Sequence, residues 1–131
     1  MLPYLFTLLS VAGLLVAHLF GTHGLYVHFP PYDIFMHTLG GFSLGLFVNA
    51  LIGPKRGTII LWVFIAGVVW ELFEAYYNIA GYDVGTKLYY IDTAKDLIDD
   101  ILGAIIAAVT CANIARRRVS EASNTPEDHT K

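Results

Sequence analysis

The chain has 131 residues and a mass of 14.5 kDa, room for one compact unit. Hydrophobic residues make up 56% of it and charged residues 15%, with a mean hydropathy of +0.58, whereas a soluble domain carries about 25% charged residues. A formal charge of −3 and an isoelectric point near 5.9 argue against nucleic-acid binding; the lone Cys111 leaves no disulfide framework, and a small integral membrane protein is the class that remains.

A helix needs about 20 mostly apolar residues to cross a bilayer. Four stretches qualify. The first runs over about 2–20 and the second over about 33–52, the latter acidic at its start. Gly53-Pro54-Lys55-Arg56 stops the second helix and leads into the third, at about 57–79, and the fourth occupies about 93–115. Loops rich in Gly, Pro and Tyr are expected over 21–32 and 80–92. Residues 116–131 form a polar tail, expected to be disordered. The domain organisation is thus one four-span unit over 1–115 followed by a tail. The first span lacks the cationic start and small-residue cleavage site of a signal peptide, so it is expected to stay as a membrane helix.

Orientation follows from lysine and arginine. Four spans place both termini and the 53–56 loop on one side, which then holds Lys55, Arg56, Arg116, Arg117, Arg118 and Lys131, six of the eight cations. The positive-inside rule makes that side cytoplasmic, giving an N-in, C-in all-α four-helix bundle in the inner membrane. Seven of the eight tyrosines fall near the opposite boundary, where aromatic belts form. Gly41 and Gly45 form a G-x-x-x-G pair, and Gly13 with Ala17 a weaker one, spacings that let helix backbones approach closely.

The ionisable residues fall in an unusual place. Asp33 and His37 are spaced i, i+4 at the start of the second span. Glu71, Glu74 and Asn78 are spaced i, i+3, i+7 near the end of the third, and Asp92, Asp96, Asp99 and Asp100 open the fourth. Residues so spaced share a helix face. At 1.5 Å per residue, His37 is about 6 Å below Asp33 and Glu71 about 12 Å below Ile79. All three stripes therefore meet in the outer half of the bilayer, with Lys95 in their midst. A carboxylate at mid-membrane costs about 2.5–3.5 kcal/mol. Clustered carboxylates repel, so protons or a cation must neutralise them. Oxygen-rich clusters with an imidazole suit divalent metal ions. The expected ligand set is His37, Glu71, Glu74, Asp96, Asp99 and Asp100, supported by Asp33, Asn78, Asp92 and Lys95.

Some of these residues also have structural readings. Asp33 and Asp92 suit helix N-caps. Asp99 and Asp100 are adjacent, so one of them is expected to point away from the bundle interior. His18 fits an interfacial histidine better than a ligand, and His23 and His28 are loop residues.

At these positions the chain resembles a known group. Tyr32-Asp33-x-x-x-His37, then Trp70-Glu71-Leu72-Phe73-Glu74, then Ile91-Asp92-Thr93-Ala94-Lys95-Asp96-Leu97 with Gly103-Ala104, is similar to the YjdF-like family of small inner-membrane proteins and, more distantly, to the VanZ-like family. The likeness covers about residues 30–108. It implies a helical membrane fold with a shared acidic site and no catalytic assignment. Glu74 stands where VanZ-like proteins commonly have glutamine, and Asp99-Asp100 where an asparagine often follows, departures that argue against a VanZ-type role.

Three functions compete. A metal-dependent enzyme would use the cation to clamp phosphate or activate water, on a lipid phosphate or lipid-linked envelope precursor. A cation or proton-coupled transporter, as a dimer or other homo-oligomer, would use the carboxylates for exchange, although no broken helix or inverted repeat marks a path. A non-catalytic scaffold or partner subunit needs neither.

Overall fold

The computed structural model describes residues 2–29, 31–79 and 81–123. Its four long helices are each apolar enough to cross a membrane: α1 (Leu2–Phe20), α2 (Pro31–Ile52), α3 (Arg56–Tyr77) and α4 (Lys87–Ser123). No strand occurs among the described residues. This is the all-α bundle expected.

The largest departures from the expected bounds lie in two places, while α2 and α3 start and end within two residues of expectation. The segment after α1 is not a plain loop: a wide helical turn, Gly21–Leu25, is followed by a single turn at Tyr26–His28. Gly24 breaks the turn with a φ of 112°, which glycine adopts without a Cβ penalty. The second difference is in α4, which begins six residues before 93 and runs past 115 to Ser123. Residues 116–123, expected as tail, continue the helix because Arg116-Arg117-Arg118 are good helix formers and nothing before Ser123 breaks the chain. The rest of the expected tail lies outside the described residues. At 37 residues α4 is about 55 Å long, against about 30 Å for the hydrocarbon core, so both its ends reach headgroup level.

Local signals set the other ends. Gly53, with a φ of 80°, closes α2, and its N–H donates to the Asn49 carbonyl at 2.8 Å. Asn78 caps α3 in the left-handed region (φ 53°), a conformation asparagine tolerates.

Helices α2 and α4 form the centre of the bundle, with α1 on α2 and α3 on α4. The α2–α4 crossing is built on glycine. A Cβ on Gly41 would collide with the Asp100 backbone, and one on Gly103 with the Thr38 carbonyl. One turn along, a Cβ on Gly45 would come within 2.7 Å of the Ala107 Cβ. Without a hydrophobic drive between helices in lipid, this close backbone approach supplies the packing. Gly13 of α1 has open space around it, so the second small-residue pair does not make such a crossing. Below the crossing, Leu46, Ala107 and Cys111 pack with Phe42, and Val48, Ile59 and Ala108 with Leu44. Outward-facing Leu8, Leu72 and Ile98 stay exposed, as lipid-facing side chains do.

Candidate functional site

The helices alternate in direction, so the end of α1, the start of α2, the end of α3 and the start of α4 lie together. The acidic residues of these segments, with His37 and Lys95, gather there. They line a cavity of about 1270 Å³ whose wall includes Asp33, His37, Glu74, Asp92, Asp96 and Asp100. The same cavity has an apolar side contributed by Leu14, Ile34, Leu44, Val63 and Phe73.

His37 is the hub. It reaches across to α4 from the second turn of α2, and its side chain is 10% exposed. Its Nε2 lies 3.8 Å from Oδ1 of Asp33 and 3.8 Å from Oδ1 of Asp96. Its other nitrogen, Nδ1, lies 3.5 Å from Oδ1 of Asp100. One atom from each of Asp33, His37 and Asp96 falls within 4.8 Å of the others, close enough to share a metal ion. Histidines that bind metals commonly donate their second ring N–H to a carboxylate, which fixes the ring and raises its basicity. Asp100 stands in that position.

Gly67 explains why Asp100 can point this way. A Cβ there would lie 2.6 Å from Oδ2 of Asp100, so glycine on α3 leaves room for the carboxylate.

Lys95 is the built-in counter-charge. Its Nζ donates to Oδ2 of Asp33 at 2.6 Å and Oδ1 of Asp96 at 2.7 Å, and lies 3.5 Å from Oδ1 of Asp92. The ammonium thus sits between α2 and α4 on Asp33 and Asp96, two of the three carboxylates that also approach His37.

The other expected ligands are spread more widely. Glu74 lines the cavity, and its Oε1 accepts from Trp70 Nε1 at 2.9 Å. Glu71 is 5% exposed, its Oε1 is buried with no hydrogen-bond partner among the described residues, and it does not line the cavity. Asp99 and Asp100 are both buried, at 9% and 8% exposure. The expectation that one of them points away from the interior is corrected: α4 is packed by α2 on one side and α3 on another, so adjacent residues can each face a neighbour. Of the two, only Asp100 lines the cavity, and Oδ2 of Asp99 is buried without a hydrogen-bond partner among the described residues. Asn78 is exposed and serves as the cap of α3.

Aromatic residues that the charge pattern did not single out complete the wall. Tyr26 and Trp70 line the cavity, and His18 joins them with Nδ1 3.2 Å from the Tyr26 hydroxyl. Burial, with Tyr32, Asp33 and Glu74 nearby, pushes the Tyr26 phenol up to about 12, so it stays protonated beside the carboxylates. The Tyr32 hydroxyl donates to the Ala17 carbonyl and ties the start of α2 to the end of α1. No sequence spacing marks Tyr26, because it lies in the irregular connection rather than on a helix face.

No curated protein and no solved structure matches the chain. A family model described as "Predicted membrane protein (DUF2238)" matches residues 2–117, nearly the whole described bundle. On that match the chain belongs to the DUF2238 family of membrane proteins.

Proposed function

We propose that the acidic end of the bundle is a divalent-cation site that serves a metal-dependent reaction on a lipid phosphate or lipid-linked envelope precursor. The observation that carries this reading is the approach of Asp33, His37 and Asp96 within 4.8 Å, with Asp100 behind the imidazole. Two carboxylates and one imidazole form a donor set that suits a divalent ion. When bound, such an ion supplies charge to polarise a phosphoryl oxygen or to acidify water.

The chain's own groups take the remaining roles. Asp100 orients His37, and Glu74, held by Trp70, faces the same space as a candidate base. Lys95 supplies positive charge at Asp33 and Asp96, the two carboxylates that would hold the ion, and with those carboxylates engaged its ammonium would be free to contact a phosphate. The mixed lining supports an amphiphile: charged groups for a headgroup, with Leu14, Ile34 and Phe73 beside a chain.

The orientation belongs to this proposal, with the acidic end facing outward across the inner membrane and the arginine-rich end in the cytoplasm. The YjdF-like likeness is consistent with the family match, whereas nothing in the comparisons supports a VanZ-like role.

One observation favours a second reading. A lysine already bridging Asp33, Asp92 and Asp96 is also what an exchanger of cations or protons would use as its resting counter-ion. Metal analysis of the purified protein separates the readings. Near-stoichiometric divalent metal, lost in Asp96→Asn, with metal-dependent release of phosphate from a lipid phosphate, supports the enzyme. Cation flux in proteoliposomes without turnover supports the exchanger. Identical metal content in wild type and Asp96→Asn removes the site.

A further inference from the structure

The opposite end of the bundle holds a second cavity, of about 370 Å³, between α1, α2 and α4. Its size is in the range of small-molecule and cofactor sites, roughly 300–1,000 Å³. The wall is mainly apolar: Phe6, Phe42, Leu46, Cys111 and Ile114 contribute to it. Three polar side chains interrupt that wall, those of Asn49, Thr110 and Arg118. Asn49 lines it, and its Oδ1 is buried with no hydrogen-bond partner among the described residues. Arg118 lines it as well, at the headgroup-level end of α4.

The charge around this mouth is mainly cationic, with Glu121 one turn beyond Arg118 as the acidic exception among the described residues. Arg116 and Arg117 precede Arg118 on α4, and Lys55 and Arg56 follow Pro54, itself part of the lining. Lipid that merely coats a helix needs no cavity, no buried acceptor and no cation at a fixed depth. Here a pocket suited to a hydrocarbon chain ends at a guanidinium, in the region where membrane helices meet phosphates. Basic pockets between membrane helices bind anionic headgroups in this way.

We infer that this cavity binds one anionic glycerophospholipid, with an acyl chain against Phe42, Leu46 and Cys111 and the phosphate at Arg118. Phosphatidylglycerol, whose phosphate is its one net charge, is the simplest lipid of this class. The inference is independent of the acidic site, which lies at the other end of the helices.

Cys111 is the only cysteine and is 8% exposed on this wall, so it reports occupancy. The full chain in nanodiscs is alkylated with N-ethylmaleimide in phosphatidylglycerol or in phosphatidylcholine of the same chains. Phosphatidylglycerol is expected to slow alkylation by about fivefold, the effect of about one cation near a charged headgroup. Arg118→Gln, an exposed substitution, should bring the two rates together with helix content unchanged. Native mass spectrometry gives a second readout: one phosphatidylglycerol retained per wild-type chain, and none on Arg118→Gln. Equal alkylation rates in the two lipids, protection that survives Arg118→Gln, protection by oleate but not by phosphatidylglycerol, or equal retention of phosphatidylcholine would each overturn the inference.

Discussion

The two ends of this bundle are opposites built on the same helices. At one end Asp33, His37, Asp96 and Asp100 face one another within a few ångströms, with one lysine inserted among them. At the other, Arg118 rims a cavity whose wall is mainly apolar and whose surroundings are rich in cations, Lys55, Arg56, Arg116 and Arg117 among them. Between them lies a layer of glycine, alanine and aliphatic contacts with no ionised side chain. The difference teaches what each end tolerates. Repelling carboxylates can be held together in a membrane only if the backbones that carry them cannot drift apart, so the acidic end depends on the rigid crossing beneath it. The basic end needs no such brace, because its charges point outward into headgroups and water.

The sharpest way to break the contrast is therefore at the crossing. Gly41→Leu drives a side chain into the Asp100 backbone, where nothing flexible can yield. Overpacking costs about 1–3 kcal/mol in ordinary cores, and this site should reach about 3 kcal/mol or more. Thermal unfolding in detergent should show a large loss of stability, and metal binding should vanish with it. A wild-type unfolding midpoint would show that α2 and α4 are not held at this point.

Next in size is the acidic end itself. Asp96→Asn removes a carboxylate that both approaches His37 and accepts from Lys95, and divalent affinity measured by calorimetry should fall about a hundredfold. Asp100→Asn acts only through the imidazole, and losing such an outer partner costs about 10–100-fold, so a fall of about tenfold is expected. If Asp100→Asn is the more damaging of the two, Asp100 touches the ion directly and the orientation of His37 described here is reversed.

These ranks depend on information that the sequence holds unevenly. The four spans were legible because hydropathy over about 20 residues is a strong signal. The Asp33–His37 pairing was legible from its i, i+4 spacing. The partners across helices were not: periodicity assigns residues to faces, but the rotation of each helix against its neighbours is set by Gly41, Gly45, Gly67 and Gly103, whose effect is three-dimensional. Hence Asp33, equally readable as a cap, sits at the centre of the cluster, while Glu71, which looks equivalent to Glu74 in sequence, turns into the α3–α4 packing. The extension of α4 through Arg118 was missed because a run of charge after an apolar span reads as the end of the membrane, which is not the end of the helix.

Lys95 tests whether the two ends differ in kind or only in sign. If the lysine competes with a metal ion for Asp33 and Asp96, Lys95→Met should raise divalent affinity, by about fivefold for an ion pair worth about 1 kcal/mol. A fall in affinity would mean instead that the lysine holds the carboxylates in place, as a structural member of the cluster.

The smallest expected effect belongs to Glu71, and it separates burial from ligation. Its Oε1 is enclosed without a hydrogen-bond partner among the described residues and the side chain is outside the cavity wall, so Glu71→Gln should leave divalent affinity within about twofold of wild type. Stability should hold or rise, because an amide loses less than a carboxylate when it is taken out of water. A metal affinity reduced as strongly as in Asp96→Asn would place Glu71 among the ligands, and would mean that α3 turns toward His37 when the ion binds. The two outcomes differ in which helices the ion joins: α2 and α4 alone, or all three.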